Sequence, residues 1–237
     1  MQQCRKIDSD PISPMNSPSL AVLRSMLGLQ VEMNRKIDPQ WHRADFAFLR
    51  AVFVESAEAL EHYGWKWWKK QTPDMAQLRI ELIDIWHFLM SHYLVLAGND
   101  QDAAARAIAG DWSGPPEFEF DGRTHRPERM DLRQQLELLA ALSALRRVHL
   151  PLVVALFEGG GLTAESLYTA YVSKNILNHF RQDHGYKTGE YVKVWQGLED
   201  NAHMEQLLKT LDTRSESLPG RLYEALERRY REAVRAA

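Results

Sequence analysis

Two acids interrupt one of the most apolar stretches of the chain: Glu81 and Asp84, in "QLRIELIDIWHFLMSHYLVLAG". Leu78, Leu82, Ile83, Ile85, Trp86, Phe88, Leu89, Met90, Tyr93 and Leu94 put apolar groups on nearly every face of a helix here, so the helix should be buried. At i and i+3 the two carboxylates leave the same side of it. Ionised carboxylates in a core cost several kcal/mol each unless something compensates, and two together repel. Glu55 and Glu58 repeat the spacing after the apolar run "FLRAVFV". Two such pairs facing each other on neighbouring helices make an all-oxygen cluster suited to Mg²⁺, with Mn²⁺ as a substitute, because hard cations take carboxylates and keep water ligands. A solvated stripe paired with Arg50 and Arg79 would give the same spacing. His87, three after Asp84, raises a di-iron alternative, but that chemistry wants an acid-x-x-His on each of two helices and only one copy stands on a buried helix. The expected role of His87 is a satisfied core histidine.

A second group of residues has the opposite charge. In "YVSKNILNHFRQDHGYKTGEYVKVWQGLEDN", Lys174, Asn178 and Arg181 fall on one stripe of a helix, and Tyr186, Lys187, Tyr191, Lys193 and Asn201 follow Gly185. Arginine grips phosphate bidentately and lysine supplies a point charge, so the set suits a polyphosphate. An amphipathic helix with a charged outer face is the plainer alternative. The carboxylate cluster favours the phosphate reading, since acids hold a metal, the metal bridges phosphates, and bases neutralise the rest.

The elements that must position these groups are almost all helical. Residues 1 to 17, rich in Ser, Pro, Asp and Asn, read as a disordered tail, and residues 18 to 237 as a single all-α domain. Ser17 and Pro18 are expected to cap and open a first helix reaching Asp38, with Gln30 and Asn34 four apart on one face. A second helix is expected from about Ala44 to Tyr63, stopped by Gly64. A third is capped by Thr72, opened by Pro73 and stopped by Gly98. Residues 99 to 129 read as a short helix plus loop, an irregular and mobile insertion. Further helices are expected from Asp131, with Gln134 completing a capping box, to Arg147; from Thr163 to Gly185; and over about 202 to 212 and 220 to 236. No alternating pattern is long enough for a sheet, and no repeat is present.

Composition excludes other classes. A net charge of -3 with 26% charged residues lacks the basic footprint of a protein that binds nucleic-acid polymers. Cys4 is the one cysteine, which leaves no internal disulfide or thiolate metal site and fits a cytoplasmic protein. The N-terminus carries no apolar core of signal-peptide length, and no uninterrupted apolar run reaches the roughly 18 residues of a membrane span.

The blocks "LQVEMN", "ESAEALEHYGWKWWK", "ELIDIWHFLMS" and "YVSKNILNHFRQDHGYKTGEYVKVWQGLEDN" closely resemble the dimeric, all-α deoxyuridine triphosphatases, relatives of the MazG-like NTP pyrophosphatases. They span roughly residues 27 to 98 and 162 to 201. The resemblance implies an all-α helical bundle of the NTP pyrophosphatase type, a homodimer in which Glu55, Glu58, Glu81 and Asp84 hold Mg²⁺ against the triphosphate of dUTP. Glu55 orients or deprotonates a water that attacks the β-phosphorus, giving dUMP and pyrophosphate, with dUDP a second substrate. Gln30 and Asn34 match positions that hydrogen-bond uracil, Trp68 one beside the base, and Asp84 and Phe88 positions near the deoxyribose. Lys174, Asn178, Arg181, Tyr186, Tyr191, Lys193 and Asn201 match phosphate contacts. Trp65 and Trp67 are expected to pack the connection between the second and third helices. Two alternatives stay open: a broader MazG-like pyrophosphatase, such as one cleaving dCTP, and a non-enzymatic helical module whose tryptophans recruit a partner.

Overall fold

The computed structural model describes residues 15 to 213 and 217 to 235. Its elements in chain order are α1 (Leu20–Ile37), α2 (Phe48–Tyr63), α3 (Met75–Leu96), α4 (Gln101–Trp112), a hairpin of β1 (Phe118–Phe120) and β2 (Arg123–His125), α5 (Leu132–Ala144), α6 (Leu150–Gly159), α7 (Ala164–Asp183), a second hairpin of β3 (Val194–Trp195) and β4 (Leu198–Glu199), α8 (Asp200–Leu208) and α9 (Leu218–Arg235). The fold is all-α. No single helix among the described residues is long and apolar enough to cross a membrane.

The central element is α3, which packs against α1, α2, α4, α6 and α7. Leu78, Leu82, Ile85, Trp86, Leu89 and Met90 on it are completely buried, each worth roughly 1.5–3 kcal/mol against exposure. Trp86 meets the rings of Trp112 and Phe157 edge-on at 5.9 Å each, the favourable arrangement of aromatic quadrupoles. These contacts tie α3 to α4 and α6. The tail expected over 1 to 17 lies outside the described residues up to residue 14. Met15, however, is docked, its backbone N–H donating to Glu158 and its carbonyl accepting from Trp112 Nε1 at 2.9 Å.

Several boundaries differ from expectation for local reasons. Ser19, not Ser17, caps α1, accepting from the N–H of Val22 at 3.3 Å. Asp74, not Thr72, caps α3, because its carboxylate reaches two N–H groups, those of Ala76 and Gln77, at 3.1 Å. A single 3₁₀ turn, Trp41–Arg43, precedes α2, which starts at Phe48 rather than Ala44. The capping box of Asp131 and Gln134 stands as expected. Helix α6 was not legible, since its central run "LVVALF" is uninterrupted apolar and has no amphipathic period. Residues 99 to 129 resolve into α4 and the β1–β2 hairpin, whose Asp121–Gly122 turn has positive φ at both residues, 51° and 69°. That conformation is the one a two-residue hairpin loop needs.

Candidate active site

Five helices, α1, α2, α3, α7 and α8, and the segment between α7 and α8 surround a cleft of about 850 Å³. Gln30 and Asn34 enter from α1, Glu55, Glu58 and His62 from α2, Glu81, Asp84, His87 and Phe88 from α3, and Lys174, Asn178 and Arg181 from α7. Tyr186, Lys193 and Asn201, after α7, close the far side. Thirteen of the fifteen expected site residues therefore share one cavity, and two, Trp68 and Tyr191, do not line it.

Carboxylate oxygens of Glu55, Glu81 and Asp84 come within 4.8 Å of one another, while Glu58 lies in the same wall outside that triad. The cost of gathering them is visible in their proton affinities. Burial, then the charges of Asp84, Glu81 and Glu58, push Glu55 up to about 8. Burial and Asp84 also raise Glu81, against the pull of Lys174. Lys174, itself 4% exposed, meets Asp84 at 2.9 Å and Asn201 Oδ1 at 3.3 Å. His62 Nε2 lies 3.3 Å from Glu81. His62 was missed in the sequence, although four residues after Glu58 and seven after Glu55 it shares their helix face. Arg79 is no partner of the cluster; its Nε donates to the Gly160 carbonyl at 2.7 Å. A hard cation is what three convergent carboxylates can accept, since one divalent charge relieves their repulsion.

The end of the cleft under α1 is a buried amide chain. Gln30 Nε2 donates to Asn34 Oδ1 at 3.0 Å, Asn34 Nδ2 to Ser91 Oγ at 3.0 Å, and Ser91 Oγ to the His87 carbonyl at 3.1 Å. Gln30 Oε1 faces His87 Nδ1 at 2.8 Å and the Tyr171 hydroxyl at 3.0 Å. In this order Nδ1 of His87 carries the proton. Its Nε2, buried and without a hydrogen-bond partner among the described residues, remains an acceptor. Burial and the Lys174 charge push His87 down to about 3, so the ring is neutral. The expected satisfied core histidine is thus satisfied on one nitrogen only.

The phosphate stripe divides. Arg181 is held by Asp200, which is fully buried, through Nε to Oδ2 at 2.7 Å and Nη2 to Oδ1 at 2.8 Å. Tyr191 donates its hydroxyl to Asp200 Oδ2 at 2.8 Å, so it stands behind the arginine instead of in the cleft. Lys193 pairs with Glu199 at 3.1 Å. The tryptophan block is also placed otherwise than expected. Trp67 is 89% and Trp68 57% exposed, stacked edge-on in series with Trp65 at 5.2 and 5.3 Å. Trp67 therefore packs no interior of this chain, and Trp68 lies outside the cleft.

An all-α frame that sets converging acids against a row of bases defines a class of nucleotide-cleaving hydrolases. Residues 22 to 186 match the family model described as dUTPase. The chain belongs to that family, the all-α dUTPases, and is a hydrolase that acts on dUTP. No curated protein matches it significantly.

Proposed function

We propose that the cleft cleaves dUTP to dUMP and pyrophosphate, and dUDP to dUMP, with Mg²⁺ as its cation and Mn²⁺ as a substitute. The observation that carries the proposal is the placement of Glu55, Glu81 and Asp84 opposite Lys174 and Arg181 in one cavity. The donor set fits the ion, being all oxygen and short of positive charge. When bound, Mg²⁺ supplies charge to the phosphate oxygens and acidifies water. Glu55, Glu58, Glu81 and Asp84 would hold it. Glu55 orients the attacking water and takes its proton. The water oxygen bonds to the β-phosphorus, the bond from that phosphorus to the α-bridging oxygen breaks, and dUMP leaves with the electron pair. Lys174, Asn178, Arg181, Tyr186, Lys193 and Asn201 hold the phosphates, and Phe88 and Asp84 face the sugar.

We assign uracil to the Gln30–Asn34 end of the cleft, whose paired amides offer the donors and acceptors that its edge needs. A homodimer and a cytoplasmic location complete the reading. The test is hydrolysis of a nucleotide panel with Mg²⁺ by wild type and Glu55→Gln side by side. Wild type should release dUMP from dUTP and spare dCTP and dTTP, and Glu55→Gln should lose roughly 10²–10⁴ in kcat. Equal cleavage of dCTP would move the protein to the broader MazG-like pyrophosphatases, and no turnover at all would leave a binding module.

A further inference from the structure

Asp200 does not itself line the cleft, yet every lone-pair direction of its carboxylate is used. Oδ2 accepts from Arg181 Nε and the Tyr191 hydroxyl, and Oδ1 accepts from Arg181 Nη2 and from the N–H of Asn201 at 2.8 Å. Burial alone would raise this carboxyl, but the hydrogen bonds and charge of Arg181 hold it below its usual range. Arg181 also gives one Nη1 proton to Asn178 Oδ1 at 3.2 Å. Of the five N–H donors of a guanidinium, three are thereby committed. What remains is one N–H on Nη1 and one on Nη2, the pair that forms the end-on fork for two phosphate oxygens.

The support continues outward to the C-terminal helix, beyond the residues that match the family. The ring of Tyr230 on α9 stacks on Tyr191 at 5.5 Å and 24°, and its hydroxyl accepts from the N–H of Val192 at 3.3 Å. Trp195 packs against Tyr230 at 5.0 Å and stacks on His203 at 4.9 Å. Lys174 and Lys193 sit on carboxylates that line the cleft, Asp84 and Glu199, and can exchange them for phosphate. Asp200, fully buried, has no such exchange open to it.

We infer that Asp200 is a positioning residue that fixes the orientation of Arg181 for the phosphates of the substrate, with Tyr191 and the Tyr230 ring of α9 as its buttress. The inference rests on the reading of the Lys174–Asn201 segment as the phosphate side of the cleft. Its test is binding of pyrophosphate with Mg²⁺, and of deoxyuridine, to wild type, Asp200→Asn, Arg181→Ala and the double variant, with Tyr191→Phe as a milder probe. Asp200→Asn should weaken pyrophosphate at least about tenfold and leave deoxyuridine within about twofold, whereas general loosening of the fold would weaken both. In the Arg181→Ala background the Asp200 substitution should have no further effect on pyrophosphate, since coupled residues are not additive. Tyr191→Phe should weaken pyrophosphate about threefold, a milder loss because Arg181 keeps both of its own hydrogen bonds to Asp200. Undiminished pyrophosphate binding by Asp200→Asn, or additive effects in the double variant, would overturn the inference. Should Asp200→Asn fail to fold, the Tyr191→Phe and Arg181→Ala pair supplies the same cycle, and additivity there is equally fatal. Failure of wild type to bind pyrophosphate would instead defeat the phosphate-side reading itself.

Discussion

At the scale of single residues, the cluster around Glu55 makes the protein's stability depend on pH and, in the proposed function, on a cation as well. Folding raises Glu55 from an ordinary 4.5 to about 8. Between those values folded metal-free Glu55 binds more proton than it does in the unfolded chain, so its contribution to stability is fullest below about pH 4.5 and falls as pH rises toward 8. A divalent cation replaces the missing proton, which predicts that the Mg²⁺-induced rise in Tm grows steadily from pH 6 to pH 8.5. A Tm increment independent of pH would show that the acids do not hold the ion. Glu55→Gln should flatten the metal-free profile in the same window, because the neutral amide has no proton to lose. The neutral ring of His87 predicts the complement: its NMR signals should show no titration between pH 5 and 9, with the proton fixed on Nδ1. Most of these positions were legible in the sequence, because a carboxylate on an all-apolar helix or a base on a periodic stripe is costly without a purpose. Tyr191 was not, since spacing says which residues share a stripe but not whether a tyrosine hydroxyl faces a ligand or a buried aspartate nine residues on.

At the scale of elements, the site is a charge balance between α3 and α7. Lys174 occupies Asp84 at 2.9 Å, so in the proposed function it competes with the cation for that carboxylate and is released to phosphate when the cation binds. Lys174→Met should therefore bind Mg²⁺ more tightly in calorimetry without nucleotide, while raising KM for dUTP at least about tenfold. Weaker Mg²⁺ binding in that variant would show that Lys174 supports the cluster instead of competing with it. The connection between α2 and α3 sets how the two acid pairs face each other, and Gly64 is its pivot. At φ +86° an L side chain is strained, and a Cβ would stand 3.0 Å from Cβ of Gln71. Gly64→Ala should cost about 1–3 kcal/mol in denaturant unfolding, with kcat reduced in the fraction that folds. That Gly64 ends α2 was readable from the sequence, as were α1, α3, α5 and α7, each with a cap and an amphipathic or all-apolar run longer than three turns. The elements that escaped were short or without a period. Helix α6 is uninterrupted apolar through its central run, and the two hairpins have strands of three residues or fewer, below the length at which alternation stands out.

At the scale of the whole molecule, the outer side of α2 is the feature that a single chain does not explain. Phe53 is two residues before Glu55, which turns it about 200° around the helix, and it is 42% exposed, as is Val54. Phe46 at 43%, Trp68 at 57% and Trp67 at 89% extend the exposed apolar surface before and after α2. Apolar surface of this kind marks contact sites more often than it is left to water, and a second copy covering it would also stiffen the helix that carries Glu55 and Glu58. The expected mass in light scattering is twice the 27.4 kDa of the chain. Phe53→Asp should shift it toward one chain, because an interface that must bury on the order of 1,200–2,000 Å² cannot absorb an unpaired carboxylate near its centre. In wild type, tryptophan emission should move to the blue as concentration carries the protein from one chain to two. In Phe53→Asp it should stay at the wavelength of exposed indole. If the interface also steadies the acids, kcat of the variant falls while its Mg²⁺ affinity, set within one chain by Glu55, Glu81 and Asp84, changes little. A variant that is monomeric yet fully active would restrict the role of the second copy to covering surface. A wild type that is monomeric at all concentrations would leave Trp67 and Trp68 for another partner.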